Sequence, residues 1–157
     1  MRTPRYHRMC SWIIALVLGL VLGEQAWAAP PVVDAYSKFR NGPVFIPYGD
    51  TQEVVHLDVT PGLYVIFAKG YAKVEGGGAK VECKLLAGAA SDRVRIGVDT
   101  RITETAEEAF SLNVLQNFTS AGTIILKCTC GPYGDDVNLN YLRVTAMRVN
   151  SYWNLSE

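Results

Sequence analysis

Little in this sequence is equipped for chemistry. It holds two histidines, His7 near the start and His56, so imidazole catalysis or a histidine-rich metal site has almost nothing to draw on. No serine or cysteine stands in a Gly-x-Ser-x-Gly elbow, a common signature of a hydrolase nucleophile. Lysine and arginine are scattered along the chain and form no basic stripe. A nucleic-acid binder needs a concentrated positive surface, so that class is excluded and no nucleic-acid partner is expected. Helical periodicity is missing beyond the N-terminus, and there is no internal repeat or low-complexity tract. After residue 22 no apolar run approaches the roughly 20 residues that a membrane-spanning helix requires.

What is present begins with an export pattern. Arg2, Arg5 and Arg8 precede an apolar run over residues 12–22, which Glu24 and Gln25 end. Ala26-Trp27-Ala28 then sets small residues at the two positions a signal peptidase inspects. The pattern predicts a signal peptide over residues 1–28, cleaved before Ala29, and a secreted or periplasmic product without a membrane span. Cys10 lies ahead of the apolar run and is not placed for lipidation, and no adjacent arginine pair marks a twin-arginine signal. Three arginines and one glutamate leave with the leader, so a chain balanced at fifteen basic and fifteen acidic residues becomes slightly acidic.

The remainder alternates like β-structure. Residues 29–41, opening with Ala-Pro-Pro, read as a flexible N-terminal segment, residues 42–150 as a β-sandwich domain and residues 151–157 as a C-terminal tail. Within the domain, 43–47 is a short edge strand with proline at both ends. Residues 53–59 place Val55, Leu57 and Val59 on one face and Val54, His56 and Asp58 on the other. Thr60-Pro61-Gly62 is a turn in which proline presets one dihedral and glycine supplies the positive one. Strand 63–74 follows, and Gly76-Gly77-Gly78 reads as the turn of a hairpin with 80–87. Residues 93–98 and 108–118 alternate, with 100–109 read as a loop. Strands at 123–130 and 138–149 flank a Gly-Pro-Tyr-Gly-Asp-Asp loop. About eight strands at this spacing predict an all-β, antiparallel two-sheet sandwich of jelly-roll-like form.

Four cysteines become three on cleavage: Cys83, Cys128 and Cys130. An oxidising compartment favours pairing. Cys128 and Cys130 lie two apart on one face of a strand, a poor geometry for bridging each other. Cys83 is then the partner of one of them: Cys128 as first choice, because the alternation around the two cysteines matches, and Cys130 as the alternative. Such a loop closure contributes about 4 kcal/mol in the chain-entropy model. The third thiol either stays buried and inert or pairs with another chain. Three cysteines without a nearby histidine make a poor zinc set, so neither metal nor cofactor is expected.

Two stretches carry a resemblance: 81–88, Val-Glu-Cys-Lys-Leu-Leu-Ala-Gly, with Asp92 after it, and 137–149, Val-Asn-Leu-Asn-Tyr-Leu-Arg-Val-Thr-Ala-Met-Arg-Val. With Pro61-Gly62-Leu63-Tyr64 upstream and Leu126-Lys127-Cys128 between, they resemble a group of small exported bacterial proteins of unknown function. The resemblance implies a β-sandwich with one cysteine on each of two strands, and so the Cys83–Cys128 pairing. Cys130 departs from that two-cysteine pattern.

Candidate sites are few. Asp135 and Asp136, with Tyr133 beside them, form a glycine-containing acidic loop of the kind extracellular calcium or ligand sites use. Glu104, Glu107 and Glu108 form a second acidic group, and solvated loop acids are the plain alternative for both. Tyr133, Tyr141, Tyr152 and Trp153 near the C-terminus, with Tyr36 and Tyr48 at the other end, could build a carbohydrate surface or simply pack sheets. Asn117-Phe118-Thr119 and Asn154-Leu155-Ser156 fit the glycosylation pattern, which matters only in a eukaryotic host. His56 and Asp58 share a strand face and are a fragment of a general-base arrangement. The reading is therefore an exported, non-enzymatic module with a binding or structural role. It would engage a protein or glycan partner, or self-associate as a homo-oligomer through an edge strand or the spare thiol. A carbohydrate- or calcium-dependent binding module is the alternative, and a hydrolase built on His56 a remote third.

Overall fold

A computed structural model describes residues 35–99 and 105–150. Among the described residues there is no helix, and thus none long and apolar enough to cross a membrane. The described residues form nine strands: β1 Ala35–Arg40, β2 Val44–Ile46, β3 Thr51–Val59, β4 Gly62–Glu75, β5 Gly78–Ala87, β6 Ala90–Asp99, β7 Thr105–Phe118, β8 Gly122–Gly134 and β9 Val137–Arg148. Their sequence logic is period-two burial. In β5, Ala79, Val81, Cys83, Leu85 and Ala87 are buried, while Lys80 and Lys84 between them are exposed.

Two antiparallel sheets stack around these buried faces. One runs β1–β9–β4–β7, with β2 also paired to β9; the other runs β3–β8–β5–β6. From β2 onward the chain changes sheet at every connection except β5–β6. This order defines a jelly-roll β-sandwich, in which strands adjacent in sequence face each other across the core. The core consists of inward side chains from both sheets, with Tyr64, Ile66, Leu85, Leu126 and Leu139 all at 0 % exposure.

Several sequence expectations need correction: residues 105–109 and 131–134, read as loop, belong to β7 and β8. Residues 35–40, assigned to the flexible segment, form β1, which pairs with β9 from Ala35↔Met147 to Arg40↔Leu142. This edge strand buries little, so apolar alternation does not mark it. The Gly76-Gly77-Gly78 turn does not make a hairpin, because β4 and β5 lie in different sheets. It is a crossover, and the two-residue hairpin is instead at Gly88-Ala89, where Ala87 pairs with Ala90 and Gly88 has φ +56°. Val54, expected outside with His56, is buried beside Val55, because a bulge between Glu53 and Val55 shifts the register.

The sheet edges are tied to each other. Along one side the Asp92 carboxylate of β6 accepts the Asn113 amide of β7 at 2.9 Å. Along the other, Tyr36 of β1 shares a 3.0 Å hydrogen bond with Thr60, whose hydroxyl also meets Tyr64 at 3.1 Å. The first of these occupies a backbone amide of the β7 edge that would otherwise be open to pairing with another chain.

Candidate functional site

Cys83 and Cys128 stand directly opposite each other on β5 and β8, with Cα atoms 4.1 Å apart, and are joined by a disulfide at the core face of the sheet. Cys130 is free, 1 % exposed, and donates its thiol hydrogen to the Asp135 carbonyl at 3.4 Å. Burial, reinforced by the Asp136 charge, pushes this thiol above its ordinary range. A buried, protonated thiol is neither a nucleophile nor a ready partner for another chain, so linkage through the spare thiol loses its basis.

The acidic loop is occupied by its own neighbours. Asp135 accepts the Gly78 amide on Oδ2 at 3.0 Å, while its own amide donates to the Gly78 carbonyl at 3.0 Å. Asp136 accepts the Tyr48 amide at 2.9 Å. The two carboxylates thus serve different loops at one end of the sandwich. Among the described residues no three His, Cys, Asp or Glu side chains come together to hold a metal ion. Glu107 and Glu108 are in β7 and not in a loop, with Glu107 opposite Lys73. Glu104, Tyr152, Trp153, the Asn154 glycosylation pattern, Cys10, the leader and the C-terminal tail lie outside the described residues, as does the side chain of Tyr133.

His56 lies on the exposed side of β3. Its Nδ1 is 2.8 Å from Glu53 Oε1 and its Nε2 3.1 Å from Asp58 Oδ1. Glu53 first, then Asp58, raise its pKa above the ordinary 6.5, so both nitrogens carry protons readily. Thr123 donates to Asp58 at 3.0 Å and, with His56, lowers the Asp58 pKa. With both ring nitrogens engaged by carboxylates, neither is directed at a substrate, which weighs against a general base here. The groove beside it, about 300 Å³, lies between β1 and β3 and is lined by Lys38, Phe39, Arg40, Glu53 and His56 among others.

The feature that sequence reading missed is the outer face of the first sheet. Registers place Ala35, Met147, Val65 and Leu115 in one row across β1, β9, β4 and β7. Phe67 stands in the next row, 43 % exposed, and Met147 is 38 % exposed. Further along, β4 advances two residues from Lys69 to Tyr71 while β9 advances three from Arg143 to Asn140. The extra residue makes a bulge in which Tyr141 takes φ +49°. Gly70 lies against this bulge, where a Cβ would come within 2.7 Å of Leu142 and 3.2 Å of the Asn140 carbonyl. The bulge stacks Tyr141 on Tyr71 at 5.4 Å between ring centres and leaves it 56 % exposed. Arg143 covers the Phe39 ring at 4.9 Å nearby. The only sequence signal was the cluster of aromatics, and register was needed to place them on one surface.

The class so defined is a jelly-roll β-sandwich, and two solved structures at TM-score 0.50 share its fold. It is similar to the structure titled "Infectious Bursal Virus Derived T=1 Particles", with TM-score 0.50 and 10 % identity over 76 % of this chain and 32 % of that one. The match therefore spans about a third of the viral chain. The infectious bursal disease virus Gt strain structure matches alike, with TM-score 0.50 and 10 % identity over 79 % of this chain and 34 % of that one. The Eiger TNF of S. frugiperda matches with TM-score 0.43 and 13 % identity over 80 % of this chain and 98 % of that one. No protein-family model matches the sequence, and no curated protein is similar to it.

Proposed function

We propose that this chain is an exported, non-enzymatic module that self-associates through the outer face of the β1–β9–β4–β7 sheet. The observation that carries the reading is the apolar row of Val65, Leu115 and Met147 with Phe67 beside it, and, beyond the intervening Lys69–Arg143 row, the Tyr71–Tyr141 stack on the same face. Contiguous exposed apolar surface marks an interaction site, and Tyr, Phe, Met and Arg are the residues enriched in such contacts. A non-glycine residue held at positive φ costs about 1–2 kcal/mol, and here it aims an aromatic ring outward. The apolar row crosses all four strands, so two copies related by a twofold axis would cover both rows at once, an isologous contact. Export is supported by the leader pattern and by a disulfide of the kind that persists in oxidising compartments. The non-enzymatic reading is supported by His56, whose ring nitrogens are both engaged.

Sedimentation of the secreted protein over a concentration series tests this. The wild type should associate reversibly below about 100 μM. Phe67→Lys and Met147→Lys should stay monomeric with unchanged melting temperature. A wild type that remains monomeric throughout would sink the reading.

A further inference from the structure

The outer face of the second sheet gathers cations that are far apart in sequence. Lys84 on β5 stands directly opposite Lys127 on β8 and directly opposite Arg93 on β6, and all three are exposed. The three span two interstrand spacings, about 10 Å. Like charges placed directly opposite across a ladder destabilise it, so folding alone gives no reason for this row. The row ends at Glu53, which faces Lys127 across β3 and bonds His56. In the next row Arg95 pairs with Glu82, and beyond it Lys80 stands opposite Gly97.

An open groove of about 560 Å³ adjoins this row, lined by Lys80, Glu82, Arg95, Gly97, Thr129 and Gly131 among others. Gly97 helps keep it open: a Cβ there would meet nothing within 4 Å. The volume is in the range of small-ligand sites.

We infer that this face binds an acidic oligosaccharide, one bearing carboxylate or sulfate groups, with the anions on Lys84, Lys127 and Arg93 and a sugar ring in the groove. Glu82 can accept from sugar hydroxyls and Thr129 can donate to them, which suits a polyhydroxylated ring in the groove. None of the exposed large hydrophobic side chains among the described residues lies on this sheet, so nothing here would insert into a bilayer. The site is on the opposite sheet from the self-association face and does not depend on it.

The test is anisotropy of a labelled heparin hexasaccharide titrated with the full secreted protein at about 50 and about 150 mM salt. Saturable binding is expected, weaker at the higher salt. Lys84→Glu should lose about tenfold in affinity yet melt no lower than the wild type, because it replaces two like-charge pairs by opposite-charge ones. Lys38→Glu, at the β1–β3 seam, should bind as the wild type does. The inference is overturned by absence of saturable binding, or by equal loss in Lys84→Glu and Lys38→Glu, which would mean bulk charge alone. Single-stranded DNA or phosphatidylglycerol vesicles binding as tightly as the saccharide would overturn it too.

Discussion

Asp135 and Gly78 exchange two hydrogen bonds. The Gly78 amide donates to the Asp135 carboxylate and the Asp135 amide to the Gly78 carbonyl, each at 3.0 Å. This exchange ties the β4–β5 crossover to the β8–β9 connection. It also brings the carboxylate so close that a Cβ on Gly77 would lie 1.7 Å from Asp135 Oδ2, which accounts for a glycine there. Asp135→Ala leaves a half-buried amide without its charged acceptor and should cost about 1–2 kcal/mol. Urea denaturation with and without calcium measures it. The loss should be the same in both, since the carboxylate acts on a backbone amide. A wild-type midpoint that rises with calcium, and a variant midpoint that does not, would restore this loop as a calcium site.

The His56 cluster should give a pH dependence of defined sign. A histidine whose pKa is raised on folding contributes stability that is fully present below its unfolded value, 6.5, and lost as pH rises through the raised value. Asp58 is lowered from 3.8, first by Thr123 and then by His56, so its contribution is present above that value and lost as pH falls through the lowered one. The wild type should therefore melt above His56→Gln at about pH 6 and converge with it toward about pH 9. The cluster is solvent-exposed, so the effect should be small and shrink with salt. A difference that stays constant across this window would show that the histidine is not charged through its carboxylates.

Much of this architecture was legible because burial in a sandwich has period two. The alternation around Val81, Cys83 and Leu85 and around Ile124, Leu126 and Cys128 reads directly as inward faces. Features that depend on which strands become neighbours were not legible. The Gly76-Gly77-Gly78 turn carries the composition of a hairpin, and nothing local says that its two strands bury their faces against each other instead of pairing. The cation row needs the β8–β5–β6 register, since Lys84, Arg93 and Lys127 look scattered along the chain. Tyr141 gives no hint of its positive φ, because tyrosine is not a residue that favours it. Both candidate surfaces therefore arise from register, whereas the isolated acids and His56, which composition picks out, turn out to bond their own neighbours.

Cys130 should behave as an interior residue. With the protein folded and unreduced, iodoacetamide should modify none of the three cysteines of the domain. Unfolding should expose one, and unfolding with reduction all three. Peptide mapping distinguishes these states. Cys130→Ala should cost about 1–2 kcal/mol through the lost packing and leave association unchanged. Rapid labelling of Cys130 in the native state, or loss of a reducible dimer in the variant, would contradict its placement beside Asp135.

Tyr141 allows stability and association to be separated. Its stack on Tyr71 contributes about 0.5–1.5 kcal/mol, while its left-handed backbone costs about 1–2 kcal/mol. Tyr141→Gly removes both, so the two terms nearly cancel and the melting temperature should change little. Association should nevertheless weaken, because the outward ring is lost from the proposed contact face. Tyr141→Ala keeps the backbone cost, loses the stack and should fall below both proteins in stability. Parallel melting and sedimentation of the three proteins would check this ordering. If Tyr141→Gly associates as strongly as the wild type, the bulge serves the fold of β9 alone and the contact must rest on Phe67, Met147 and their row.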